Sequence, residues 1–311
     1  MYEQYLDFVW STEDSEKLFS AGNEALEKIS AKYVVRSRIA KRLSLLALEE
    51  QKKDTAEKYW LEAFRSETTV TNYMRLFVES SDVKVFSERI RRIYHSMYKK
   101  IGISISMHAQ SGELKINHPD SDNIYMLAFL GGEFQYVKEH AMNVTAALGW
   151  SSTFMKCGLS AFLLLLMEGD ELQSGGRELC RRVVASVNFD KEEYQRWSGR
   201  QNDLSSEEWF WDCFKKWKEN VEISEAQRRD YLQWIEKLIK KRVNGIMEAN
   251  RRNYYGECAS YIAALGEVVE SRGQQGAKQR ILLEYKELYS RRRAFHEELR
   301  KYGMRDTKKR R

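Results

Sequence analysis

Proline occurs once in the 311 residues, at Pro119. Proline removes a backbone donor and crowds the preceding helical turn. A chain almost without it leaves long helices open over nearly its whole length. That absence makes no helix by itself, so the spacing of apolar residues has to agree. Tyrosine, tryptophan and phenylalanine are abundant and suit strands as well as helices, but their spacing here is mostly helical.

Val34 opens the first clear hairpin. Ile39, Ala40, Leu43, Leu46 and Ala47 recur at three- and four-residue intervals, which puts one apolar stripe on a helix. After the polar break EEQKKD, the residues Ala56, Tyr59, Trp60, Ala63 and Phe64 make a second stripe. Small Ala40, Ala47, Ala56 and Ala63 allow close helix approach, and large Trp60 and Phe64 fill the next groove. Leu76 and Phe77 follow beside Tyr73, with Thr71 or Asn72 as a cap. Val83, Phe86, Ile90, Ile93, Tyr94 and Met97 then mark another helix, capped by Ser81 or Asp82.

The spacing of Ala40, Leu43, Ala47, Ala56, Trp60 and Ala63 resembles a tetratricopeptide repeat over about one unit of roughly 34 residues. Ser44 stands where that family often has glycine, and no proline closes the unit. The resemblance implies an all-α fold, a TPR-like α-solenoid of stacked antiparallel helical hairpins.

Helical logic continues past an interruption. Gly131–Gly132, Gly175–Gly176 and Gly273–Gly276 read as turns or helix ends. Ala161–Met167 reads as a buried helix centre, far shorter than the roughly 20 residues that span a bilayer. Trp209, Phe210, Cys213, Phe214 and Trp217 form an aromatic packing stripe, after a capping box at Ser205 and Glu208. One helix is expected over Ala226–Gly245. Another continues or restarts over Val243–Gly273, with Gly245 or Asn250 as the bend and Tyr254, Cys258, Ile262 and Leu265 on its stripe. Ala277–Tyr289 and the segment from Arg291 complete the pattern. The divisions are an N-terminal helical-repeat block at 1–100, an irregular connector at 101–122 and a central block at 123–220. A C-terminal repeat block follows at 221–303, then a basic tail at 304–311.

In the C-terminal block, Tyr254, Tyr255, Ala259, Leu265, Glu267, Gly273, Tyr285, Tyr289, Arg291, Ala294 and Phe295 resemble the helical region of bacterial proteins that also carry a SWIM zinc finger. The closely spaced Cys/Cys and Cys/His ligands of that finger are missing from the sequence. The resemblance therefore implies the associated scaffold and not the metal module.

No motif for chemistry is read, and the expectation is no cofactor, no metal and no catalytic residue. Cys157, Cys180, Cys213 and Cys258 are dispersed, without a CxxC pair, and read as reduced core residues. His95, His108, His118, His140 and His296 make no HExxH pattern. The glycine pairs lack the lysine and Ser/Thr of a phosphate loop. Adjacent carboxylates such as Glu49–Glu50, Glu192–Glu193, Glu207–Glu208 and Glu297–Glu298 diverge by about 100° on a helix, and read as solvated faces. The polar, acidic start MYEQYLDFVWSTEDSEK is unlike a signal peptide, so a cytoplasmic, non-membrane setting is expected.

Charge is the remaining signal. Residues 291–311 hold ten Lys/Arg against three Asp/Glu, a local net of +7 in a chain of net +6. Basic clusters lie at Arg36, Arg38, Lys41 and Arg42; at Arg89, Arg91 and Arg92; at Arg177, Arg181 and Arg182; and at Arg291, Arg292 and Arg293. They are the candidate contacts to nucleic acid or an acidic partner. Acids alternate with them through the body. The favoured expectation is therefore a non-catalytic scaffold binding a peptide or partner protein along a helical superhelix. A nucleic-acid-binding repeat protein using these clusters is the first alternative. An enzyme with a site assembled only in three dimensions is the second.

Overall fold

A computed structural model describes residues 14–79, 88, 92, 117, 121–142, 153–198 and 203–306. The connector at 101–122 lies outside this set except for Asn117, Ser121 and Asp122, as do the caps proposed at Ser81 and Asp82. The described residues are all-α, with no β-strand among them. The helices are α1 (Ser15–Lys28), α2 (Val34–Glu49), α3 (Lys53–Ser66), α4 (Val70–Glu79), α5 (Ser121–Leu130), α6 (Phe134–Met142) and α7 (Thr153–Leu166). They continue with α8 (Ser174–Ser186), α9 (Lys191–Ser198), α10 (Ser206–Lys218), α11 (Glu225–Glu248), α12 (Tyr255–Ser271), α13 (Ala277–Leu288) and α14 (Arg293–Lys301). None of the described helices is long and apolar enough to cross a membrane. They group into two packing units, each drawn from two separate stretches of chain. One takes residues 1–132 and 187–220, the other 133–186 and 221–311.

In the first unit, α2 and α3 form an antiparallel hairpin. A three-residue link joins them, with Gln51 in the left-handed region at φ 60°. The two expected stripes are buried: Ile39, Ala40, Leu43, Leu46 and Ala47 on α2, and Ala56, Tyr59, Trp60, Ala63 and Phe64 on α3. The alanines let the backbones approach, and the indole and phenyl rings fill the space they leave. Helix α1 packs onto α2 through Gly22. A Cβ there would meet the Leu43 side chain at 2.5 Å. Helix α4 begins one residue earlier than its expected caps. Thr69 Oγ1 accepts from the Asn72 amide at 3.2 Å, so Thr69 does the work assigned to Thr71 or Asn72.

The later stretch joins this unit at the carboxyl end of α5. The Leu130 carbonyl accepts from the Tyr73 hydroxyl of α4 at 3.0 Å and from Trp217 Nε1 of α10 at 2.8 Å. A helix-end carbonyl has no intrahelical partner, and here two aromatic side chains supply it. Phe129 packs on Phe214 and Trp217, with ring centroids 6.4 and 5.5 Å apart. The stripe Trp209, Phe210, Cys213, Phe214 and Trp217 is buried as expected. Its capping box is present, with Ser205 Oγ accepting from the Glu208 amide.

The second unit is built around α12, whose residues from Cys258 to Val268 are all buried. Helix α7 is the other apolar element; its carboxyl end, Ala161–Leu166, is buried, as is Met167 just beyond it. One glycine expectation changes here, and of the two expected bend positions Asn250 is the one used. Gly175 and Gly176 do not mark a turn; they lie in the first turn of α8, and both are buried. Helix α11 runs through Gly245 to Glu248, and the break falls at Asn250, in the left-handed region at φ 51°. A short 3-10 turn, Arg252–Tyr254, leads into α12. Tyr254 therefore leaves the apolar stripe and is 37% exposed. A second capping box starts α11, where Ser224 Oγ accepts from the Gln227 amide at 3.2 Å.

Trp60 is 1% exposed at the centre of the α2–α3 hairpin. Replacing it with alanine is expected to cost about 3–5 kcal/mol of stability, from lost burial and an unfilled cavity. Equilibrium urea unfolding with tryptophan-independent circular dichroism reads the change as a lower midpoint.

Candidate functional site

The densest polar construction lies inside the second unit, where α8, α12 and α13 meet. Glu267 projects from α12 and is only 3% exposed. Its Oε1 accepts from the Gly175 amide at 2.8 Å, and its Oε2 from the Gly176 amide at 2.7 Å. These are unpaired first-turn donors of α8, at the positive end of that helix. The Lys278 ammonium of α13 closes on Oε1 at 2.6 Å. Its other contacts are the Ser174 hydroxyl at 3.1 Å and the Gln173 amide oxygen at 3.2 Å. A buried carboxylate persists only when paired and hydrogen-bonded, and Glu267 has both kinds of partner. The approach requires glycine. A Cβ on Gly175 would meet the Ala264 backbone nitrogen at 2.6 Å, and one on Gly266 would meet the Lys278 Cα at 2.6 Å.

Two more cations meet α12, Arg242 buried and Arg182 half-buried. Arg242 of α11 donates from Nε at 2.9 Å and from Nη2 at 2.8 Å to Glu257 Oε1. Arg182 of α8 lies 5.1 Å from the Tyr261 ring centroid and donates from Nε to Glu178 at 3.0 Å. Burial raises the Tyr261 hydroxyl above the usual tyrosine range. Burial, aided by the Glu257 charge, pushes the Cys258 thiol up to about 12. A thiol held this far up is protonated and poorly nucleophilic at neutral pH. Cys180 and Cys213 are likewise buried and form no disulfide. Among the described residues, no group of three or more His, Cys, Asp or Glu is placed to hold a metal.

Two shallow cavities accompany this framework. One of about 410 Å³ in the second unit is lined by Gln173, Glu270, Lys278, Gln279, Arg305 and Asp306. The other, of about 460 Å³, lies in the first unit beside Asn188, Asp190, Lys191, Glu192, Gln195 and Ser206. Charged residues of both signs line each of them.

The basic clusters separate into internal and surface groups. Lys41 is 1% exposed and pairs with Glu67 Oε2 at 2.7 Å. Arg36 bridges helices, with Nη1 donating to the Ile29 carbonyl at 2.7 Å and Nη2 to Glu62 at 2.7 Å. Arg38 is exposed and Arg42 half-buried. Arg177 is exposed, and its Nε donates to the Leu172 carbonyl at 2.8 Å. Arg181 forms a two-pronged pair with Glu178, at 2.9 and 2.7 Å. Arg292 reaches the end of α11, while Arg291 and Arg293 are exposed. Arg92 is exposed, 3.8 Å from Glu88. Arg89 and Arg91 lie outside the described residues, as do His95, His108, His118 and the His140 side chain. His296 is buried and donates from Nε2 to the Tyr289 carbonyl at 3.0 Å.

The sequence reading missed the Glu267 bridge. Its one visible signal is a glutamate inside the otherwise apolar run ALGEVV, where a charge has to find a partner.

Glu267→Ala removes the carboxylate and leaves Lys278 and two amides to be satisfied elsewhere. A loss of about 3–5 kcal/mol is expected. Gly175→Ala is expected to lose about 1–3 kcal/mol through overpacking. Chemical denaturation of each variant checks both values. For Glu67, burial opposes the charge, but Lys41, Ser37 and Asn72 outweigh it and hold the carboxyl below the ordinary glutamate range. A lowered native value adds stability above the ordinary range and loses it as pH falls through the native one. The stability gap between wild type and Glu67→Gln should therefore be full at neutral pH and shrink on acidification below about 4.5.

Comparison with protein-family models, curated proteins and solved structures finds no match.

Proposed function

We propose that the chain is a non-catalytic interaction scaffold, a TPR-like array of helical hairpins that binds a peptide or partner protein. The α2–α3 hairpin carries this reading. Its buried alanines alternate with Trp60 and Phe64 at the positions where the tetratricopeptide pattern places small and large packing groups. Helices α1 and α4 dock on either side in sequence, the arrangement from which repeat arrays grow. In such arrays the buried face makes the fold and the remaining face recognises a partner. Cys180, Cys213 and Cys258 form no disulfide, which supports a reducing, cytoplasmic setting.

The test is capture on the tagged full-length chain after nuclease treatment, followed by calorimetry with the purified captured protein. Saturable direct binding to one defined protein is the expected outcome. If no protein binds directly once nucleic acid is removed, the scaffold reading fails.

A further inference from the structure

Two turns of the second unit meet at one corner. The first runs from the end of α11 through Asn250 and the 3-10 turn Arg252–Tyr254 into α12. The second links α13 to α14 through Tyr289–Arg292. Arg292 joins them, donating from Nη1 to Asn250 Oδ1 at 2.7 Å and from Nη2 to the Met247 carbonyl at 2.9 Å. The Tyr289 hydroxyl adds a hydrogen bond to Asn244 Oδ1. The corner segments, 248–254 and 288–293, hold five arginines against one glutamate, Glu248. Arg251, Arg252, Arg291 and Arg293 are all exposed. The nearest acids on α14 are Glu297, which is exposed, and Glu298, which Lys301 pairs at 2.8 Å.

The same corner carries the large exposed apolar side chains of the described residues: Tyr254 at 37% and Leu288 at 61% exposure. Tyr254 is held from one side. The Arg242 guanidinium lies 5.0 Å from its ring centroid, and Glu257 fixes that guanidinium in turn. A tyrosine expected in a core stripe is thus displayed on a rigid support among arginines.

We propose that this corner binds single-stranded nucleic acid, with Arg251, Arg252, Arg291 and Arg293 on phosphates and the Tyr254 ring stacking on a base. Guanidinium forks match phosphate oxygens in pairs. An aromatic platform beside a basic track is how single strands are held without reading sequence. An acidic peptide would use the arginines but has no need of the ring. This surface is separate from the protein-binding reading, and either stands if the other fails.

The full-length protein is titrated into fluorescein-labelled oligouridine and oligothymidine, with anisotropy followed over a salt series. Wild type should bind with an affinity that falls steeply with salt. Replacing the four exposed arginines with glutamine should flatten that dependence by about 0.7 in log–log slope per lost phosphate contact. Tyr254→Leu should weaken binding about tenfold or more with the salt slope unchanged, and Tyr254→Phe should restore it. The paired variants R251Q/R252Q and R291Q/R293Q, each checked by thermal melting, keep the test readable if the quadruple variant does not fold. No saturable binding by wild type at low salt overturns the proposal. So does full binding by the folded arginine variants. Displacement by polyglutamate together with indifference to Tyr254→Leu would overturn it in favour of an acidic peptide surface.

Discussion

The second unit depends on one buried carboxylate meeting the start of a helix. Glu267 occupies the first-turn amides of α8, and Lys278 balances its charge from α13. Three helices are thereby held by a single side chain. The geometry works only because Gly175 and Gly266 lack side chains at the two closest approaches. Removing carboxylate, cation or glycine would leave a buried polar group without its partner or force the helices apart. Such an arrangement specifies one packing among the many that apolar stripes alone allow, a role buried polar networks take in some proteins.

The first unit uses the same device with different residues. Buried Lys41 pairs with half-buried Glu67, and the Leu130 carbonyl collects two aromatic donors. These contacts join stretches far apart in sequence, including the return of α10 to the N-terminal helices. The consequence for function lies in the charges that remain. Lys41, Arg36, Arg182 and Arg292 act inside the fold, so clustering in sequence overstates the basic surface. The exposed arginines at the α11–α12 and α13–α14 turns are a different population. They share that corner with a tyrosine that packing leaves partly open.

Helical class and local stripes were legible in the sequence. Single proline content, the Ala40–Ala63 spacing and the Ser205–Glu208 box report local preferences that packing reinforced. The misreadings share a cause. Gly175–Gly176 look like turn residues because glycine favours turns, yet here they serve a helix start that another helix penetrates. Tyr254 fits the stripe by spacing, but the left-handed Asn250 interrupts the period just before it. Pattern along the chain carries no information about which distant segment supplies a partner. The Glu267 bridge and the building of each unit from two separate stretches of chain were therefore out of reach. The corner was half legible: Arg291–Arg293 stood out as a cluster, but its meeting with Arg251 and Arg252 depends on the Arg292–Asn250 contact.

Amide hydrogen exchange at Gly175 and Gly176, followed by NMR, tests the central claim most directly. First-turn amides of a helix ordinarily exchange fast, because no carbonyl within the helix accepts from them. If Glu267 accepts from both, they should be protected to the level of the buried turns of α8 and open only with the unit as a whole. Exchange as fast as at the exposed first turn of α11 would contradict the account.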